Sequence, residues 1–250
     1  MTSRFTADLH VHTLLSPCAA VEMTPRNIIW HAVEKGINII AITDHNACDN
    51  VVAAIKAAEN TDVTVIPGME VETREEAHFI VLFEKMRQLR VWEQLVEKKR
   101  PRLLNDEKKF GAQFVVDAED NLVSVKEDLL LCSLCISASE LVNSVHELGG
   151  LVIASHIDRP AYSIVSQLGF IPPDLLVDAV EISRRSKSEK KHLVYVPQHI
   201  PVMTSSDAHT IEDFMSGPVT YFDLNSPTFE EIRQALQGVN GRAMIIQSLT

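Results

Sequence analysis

The chain predicts an α/β fold in which repeated strand–helix units build a parallel sheet closed into a barrel. Three observations carry that expectation. Short runs rich in Val, Ile and Leu alternate with capped or amphipathic stretches of helical length. The run at 37–42 is almost continuously apolar, as a strand buried on both faces requires. Histidines and carboxylates follow several of these runs, at the face where barrels of this class place their chemistry. A length of 250 residues suits one such unit, so a single domain over 1–250 is expected.

Residues 5–11 alternate and end in a turn-rich segment, giving the first strand. Thr24-Pro25 reads as an N-cap with proline at the first helical position, and Gly36 stops the helix. The strand at 37–42 runs into Thr43-Asp44-His45, and residues 51–58 form a helix. Strands follow at 63–70 and 78–83. A charged helix spans 84–100 until Pro101, and 114–123 reads as a hairpin with a polar turn. This stretch, at about 85–135, breaks the rhythm and is expected to be an insertion, either a lid or dimer contact or a surface addition without a role. Ser137 with Glu140 forms a capping box whose helix ends at Gly149-Gly150. Strands at 151–154, 179–182 and 201–204 come next, then a helix capped at Ser226-Pro227 and a final strand at 243–246.

Composition excludes several classes. The net charge of −11 opposes a surface that coats double-stranded nucleic acid, which needs a basic face. Nothing reads as a leader or a bilayer span, so no membrane partner is expected. Cys18, Cys48, Cys132 and Cys135 are too few and too irregular for a disulfide framework and suit a reducing cytoplasm. Cys132 and Cys135 have the spacing of a metal or redox pair, but apolar neighbours and the lack of a second pair make them core in this reading.

The chemistry is concentrated in ordered motifs. Asp8-Leu9-His10-Val11-His12 and Asp207-Ala208-His209 each offer two donors at i and i+2, which project from one side of an extended chain. His45, Glu70, His78 and His156 fall at or beside strand ends. Imidazoles and carboxylates suit borderline-hard divalent metals, and one carboxylate such as Glu70 can bridge two ions. Two ions about 3.5–4 Å apart can hold a bridging hydroxide and clamp a phosphoryl group. Asp8 and Asp44 sit beside ligands and suit the orienting of imidazoles. His31, His146, His192 and His199 lie in helices or polar connections and are read as ordinary histidines.

Taken in order, Asp-x-His-x-His-Thr, Thr-Asp-His, Gly-x-Glu, a strand-end His and Ser-Asp-x-His resemble the polymerase and histidinol phosphatase (PHP) domain of metal-dependent phosphoesterases. The resemblance runs from Asp8 to His209 and implies a distorted (β/α)7 barrel, TIM-like, holding two or three divalent ions of Zn, Fe or Mn. By motif position it implies His10, His12, His45, Glu70, His78, His156, Asp207 and His209 as metal ligands. Cys18 stands where the family usually has Asp or His; it is carried as a ligand, with a protonated thiol and a dinuclear centre as the alternative. The resemblance implies one metal on His10, His12, Glu70 and Asp207, another on Glu70, His78 and His156, and a third on His45 and His209 with Cys18.

The expected activity is hydrolysis of a phosphomonoester or a small nucleotide or oligonucleotide phosphoester, with Glu70, Asp207, His209 and Arg159 as catalytic residues. Arg159 and Arg184 are candidates for the substrate phosphate; for Arg159 the alternative is a salt bridge with Asp158 or another acid. The basic residues 184–191 are read either as an attractor for anionic substrate or as a solvated face. Two other readings stay open: an amidohydrolase-like enzyme, disfavoured because no Lys sits at a suitable strand end, and a metal-binding regulatory module without turnover. The partner expected is a small phosphorylated substrate, with homo-oligomerisation open.

Overall fold

The computed structural model describes residues 2–183 and 196–246. β1 (Ser3–Val11) leads through a loop to α1 (Pro25–Lys35), where Thr24 accepts the N–H of Asn27 and left-handed Gly36 ends the helix, as the capping residues predict. β2 (Ile39–Ile42), α2 (Val51–Ala57), β3 (Thr64–Glu72) and β4 (His78–Leu82) follow. The interruption contains α3 (Met86–Lys99), α4 (Glu107–Phe110) and the hairpin β5 (Phe114–Val116) with β6 (Leu122–Val125). The chain returns through α5 (Ala138–Glu147), β7 (Leu151–Ala154), α6 (Ile164–Leu168), β8 (Ala179–Ile182) and β9 (Val202–Thr204). It finishes with α7 (Ile211–Ser216), β10 (Thr220–Leu224), α8 (Phe229–Gln237) and β11 (Ala243–Ile246).

The main sheet, among the described residues, orders its strands β11-β10-β1-β2-β3-β4-β7-β8-β9. It is mixed. β1, β2 and β3 run parallel, as do β7, β8 and β9, while β3/β4, β4/β7, β1/β10 and β10/β11 pair antiparallel. The barrel class of the expectation stands, but the sheet departs from seven repeated parallel units. β3 and β4 need only a short turn between them, which antiparallel pairing permits and parallel pairing forbids. The sheet curls so that the end of β9 meets the start of β10. There Thr204 donates its N–H to Thr220 Oγ1 at 3.0 Å, and that hydroxyl donates to Thr204 O at 2.8 Å.

Two apolar layers hold this sheet. The inner one takes Leu9, Ile39, Ala41, Ile66, Ile80, Ile153 and Met203, against which α8 buries Phe229, Ile232 and Leu236. The outer one packs Ile40, Ile42, Phe79, Val81 and Val152 beneath Ile28, Trp92, Leu141 and Val145 of α1, α3 and α5. Both layers are fully apolar along most of each strand, so the strands read as unbroken hydrophobic runs.

Two local expectations change. The last helix is capped by Thr228, whose hydroxyl accepts from Glu231, rather than by Ser226. Cys132 is half-buried and Cys135 exposed, so the pair does not belong to the core; Leu134 between them does.

The interruption is not a free excursion. Fully buried Asn50 donates to Thr13 Oγ1 at 2.9 Å and to Phe114 O at 3.1 Å, and accepts the N–H of Val116 at 3.0 Å. Asn46 donates to the carbonyls of Leu130 and Cys132. Leu15, Ala47, Val115 and Leu130 form a small core of their own. Gly111, at φ 99°, lies so close to Pro17 O that a Cβ would stand 2.4 Å from it. These contacts tie the segment to the loops that follow β1 and β2, the loops that carry the histidines.

Candidate metal centre

Glu70 is the hub. It sits on β3, 1% exposed, and Ile80, its partner on β4, belongs to the inner layer. Around its two oxygens stand His10 Nε2 at 3.2 Å, His12 Nε2 at 3.4 Å, His45 Nδ1 at 3.1 Å, His78 Nδ1 at 3.0 Å and His156 Nε2 at 3.3 Å. Asp207 Oδ1 lies 3.4 Å from Nε2 of both His10 and His12. The two ends of the chain's motif set therefore converge.

Local backbone explains the convergence. The β1/β2 register shifts between Asp8 and Val11, an irregularity that re-aims the side chains of this segment. Past β9 the chain runs beside β1: His12 donates its N–H to Ala208 O at 3.1 Å, and Asp8 accepts the N–H groups of His10 and Ser206. Asp8 thus works on backbone and not on a ring, contrary to expectation. Asp44 does serve a ring, through an intermediary. It accepts from Thr13 Oγ1 and Ser16 Oγ at 2.7 Å each, and Ser16 Oγ stands 3.1 Å from His12 Nδ1.

The tautomers follow. Ser16 spends its proton on Asp44, so His12 Nδ1–H is the donor between them and Nε2 is the nitrogen turned to Glu70 and Asp207. His10 Nδ1 faces both oxygens of Glu181 at 3.1 Å, so its Nε2 is likewise the nitrogen turned to the centre. His209 Nδ1 faces Asp207 O at 3.0 Å with the same result.

Charge follows the same map. Burial pushes the carboxyl of Glu70 up, yet His78, His10 and His45 outweigh it and hold it well below the usual range. Asp207 is likewise driven up by burial and brought well down by His10, His12 and Arg159. Burial opposes protonation of His10, but Glu181, Glu70 and Asp207 raise it well above the ordinary value. Burial works against His78 too, and Glu70 overcomes it to bring the ring to about 9. His12 is raised by Asp207 and Glu70 against its burial. Burial depresses His45 and His156, and burial with His12 takes His209 to about 4.

This donor set fits divalent cations. Nε2 of His10 and Nε2 of His12 stand 3.1 Å apart, a contact that a shared proton closes in the metal-free chain and that a divalent cation can replace. Buried His156 has no hydrogen-bond partner on either nitrogen. Among the described residues, three sets of donors lie within 4.8 Å of one another: His10/His12/Glu70, His45/Glu70/His78 and His12/His45/His209. The grouping differs from the expected one in that His12 and His45 are each shared between two sets. Cys18 belongs to none of them. It is exposed as a residue, and burial of its sulfur together with Glu70 pushes the thiol up to about 12.

Arg159 meets Asp207 Oδ2 in a close ion pair, while Asp158 instead accepts the N–H and hydroxyl of Ser183. Arg184 and the basic residues 184–191 lie outside the described residues, as does His192. His31 faces its own helix at Asn27 O, His146 pairs with Asp178, and His199 is an exposed surface residue, as expected of ordinary histidines. Glu181 escaped the sequence reading. Its signal was a lone carboxylate within the apolar strand Ala179–Ile182, a position that demands a buried partner.

Among the described residues no helix is long and apolar enough to cross a membrane. The chain is 30% identical over 186 residues to an uncharacterized protein of Methanocaldococcus jannaschii, covering 70% of this chain and 80% of that one. A lesion-specific endonuclease of Pyrococcus furiosus superimposes with a TM-score of 0.73 at 22% identity, covering 97% of this chain and 58% of the endonuclease. This chain therefore spans little more than half the length of that protein. A candidate metal-dependent phosphoesterase of Bifidobacterium adolescentis superimposes with a TM-score of 0.57 at 19% identity, covering 94% and 96% of the two chains. The PHP domain model matches residues 8–162, and the chain belongs to the PHP domain family.

Proposed function

We propose that this protein hydrolyses a small phosphoester at a centre of two or three divalent cations, Zn, Fe or Mn, held by His10, His12, His45, Glu70, His78, His156, Asp207 and His209. The observation that carries this reading is the convergence of Nε2 of His10 and Nε2 of His12 on the carboxylates of Glu70 and Asp207. Imidazole-rich donor sets suit Zn and Fe better than magnesium or calcium, and the carboxylates of Glu70 and Asp207 suit Mn. Bound there, divalent cations supply Lewis acidity toward a phosphoryl group and an activated water near neutral pH.

The chain's own residues divide the remaining work. Glu181 keeps the proton on Nδ1 of His10, and Asp44 does the same for His12 through Ser16. Glu70 spans donor sets on both sides and positions them relative to one another. Arg159 exchanges Asp207 for the substrate phosphate, which a planar guanidinium can grip in a fork. His209, with a quarter of its side chain exposed, stands at the mouth and stays neutral at physiological pH.

A small substrate is favoured over duplex DNA because 34 acidic residues face 23 basic ones. The endonuclease relative is known in complex with a 27-mer duplex carrying an abasic lesion. The test is elemental analysis of the purified protein, then a phosphoester panel including a lesion-bearing duplex, with the metals found restored. Metal in the protein with cleavage of a small phosphoester is expected. A metal-loaded protein that cleaves nothing in the panel sinks the proposal, and cleavage of the duplex alone corrects the substrate.

A further inference from the structure

Eight non-glycine residues among those described have positive φ, and four of them gather at the metal centre: Asn46 at 50°, His156 at 28°, Tyr162 at 58° and Asp207 at 48°. Of the others, Asn60, Asp120 and Asn240 are residue types that tolerate this region, and Glu76 lies in the tight turn between β3 and β4, where its N–H is donated to Thr73 O. His156 and Asp207 are candidate ligands and Asn46 follows one, so the centre accounts for their backbone. Tyr162 has no such account. A bulky aromatic residue is a genuine outlier there, and strain of this kind persists where the surroundings impose it, typically at functional sites.

What the strain achieves is visible. Tyr162 O accepts the N–H of His78 at 3.0 Å, and the phenol ring lies 5.0 Å from the His78 ring with 31° between their planes. Hydrophobic packing does not require this, because Tyr162 remains 48% exposed. One part of the ring is covered by an imidazole that touches Glu70, and the rest is open at the rim of the centre. Three residues earlier the same segment sends Arg159 to Asp207. Residues 159–162 therefore put a guanidinium and an exposed aromatic surface at one mouth.

We propose that Tyr162 is a stacking platform for the nucleobase of a substrate whose phosphate sits at the metal centre. The inference rests on the phosphoesterase reading and narrows it to phosphates that carry a flat, polarisable ring. Stacking needs no particular base edge, so the platform favours nucleotides over sugar phosphates without choosing among bases. Tyr162 touches substrate in this role and takes no part in bond breaking.

The test uses the metal-loaded full chain and compares kcat/KM for adenosine 5′-monophosphate with that for ribose 5-phosphate. Wild type is expected to prefer the nucleotide. Tyr162→Leu is expected to lower the nucleotide-to-sugar ratio about tenfold, mainly through KM, and Tyr162→Phe to stay close to wild type because the ring remains. Metal content is measured for each variant. A wild type that treats both alike, or a ratio unmoved in Tyr162→Leu, overturns the platform while leaving hydrolysis intact. Loss of metal in Tyr162→Leu also overturns it, since the ring then serves to hold His78. A wild type that cleaves no phosphoester at all removes the underlying reading and the platform with it.

Discussion

Both carboxylate oxygens of Glu181 stand 3.1 Å from Nδ1 of His10, and one of them also accepts the N–H of His156 at 3.2 Å. A single buried side chain on β8 thus fixes one ligand's ring and another's backbone. Glu181→Gln offers His10 only one acceptor oxygen, and Glu181→Ala offers none. Partners of this kind typically contribute 10–100-fold in metal affinity, so Glu181→Ala is expected to weaken binding by about that factor, with Gln between it and wild type. Competitive chelator titration reads the affinity. Equal affinities in all three proteins would show that Glu181 merely fills space.

Protons and cations compete for the same nitrogens. A raised pKa means a proton held more tightly, and His10, His12 and His78 are all raised, His78 to about 9. Metal loading of the stripped protein is therefore expected to release protons and to tighten as pH climbs from 6 toward about 9, flattening once the rings are neutral. Calorimetry in buffers of different ionisation enthalpy counts the protons. Loading that is tighter at pH 6 than at pH 8 contradicts the sign.

Removing Arg159 should affect substrate more than metal. Hydrogen bonds to charged groups contribute about 1.5–3 kcal/mol, so Arg159→Ala is expected to raise KM for a phosphoester by about 10–100-fold. Arg159→Lys should recover only part, because a point charge lacks the planar fork. Metal content near wild type in both variants is the accompanying expectation, measured by elemental analysis. An unchanged KM means that the guanidinium never leaves Asp207.

Asn50 supplies three hydrogen bonds from a fully buried position. Asn50→Ala removes the side-chain partners of Phe114 O and Val116 N–H, while the Thr13 hydroxyl keeps Asp44, and a loss of roughly 2–4 kcal/mol is expected. For a chain of this size that is a drop of about 5–12 °C in Tm. Limited proteolysis should then cut first within 101–130. A hairpin that resists cleavage in the variant would mean that other contacts suffice.

Much of this was readable in the residues, and the unread part has physical causes. Thr24-Pro25 and Gly36 bounded α1 correctly because caps are local chemistry. The i, i+2 pair at His10/His12 was legible because an extended chain aims such donors together, whereas Asp207 and His209 reach the same place from the loop past β9, Asp207 with φ 48°. Strand direction was not legible, since an apolar run looks alike in a parallel or an antiparallel pair; β4 was misread on that account, and β10 was not read as a strand at all. Glu181 was missed because it reaches His10 from far away in sequence, and Ser16 because a lone serine in a loop gives no sign that it links Asp44 to His12. Cys18 was matched by motif position, yet the loop leaves it outside the donor sets. In α5, Ser137 caps the helix as expected, but the Glu140 side chain is occupied by Lys99.

The union of the interruption with the histidine-bearing loops bears on how this scaffold can be re-engineered. Because Asn46, Asn50 and Gly111 lock residues 104–130 against the segments after β1 and β2, swapping that region for another recognition element also removes braces of the reactive centre. A graft that keeps these three anchor points should inherit the alignment of the imidazoles. One that discards them would have to build that alignment anew.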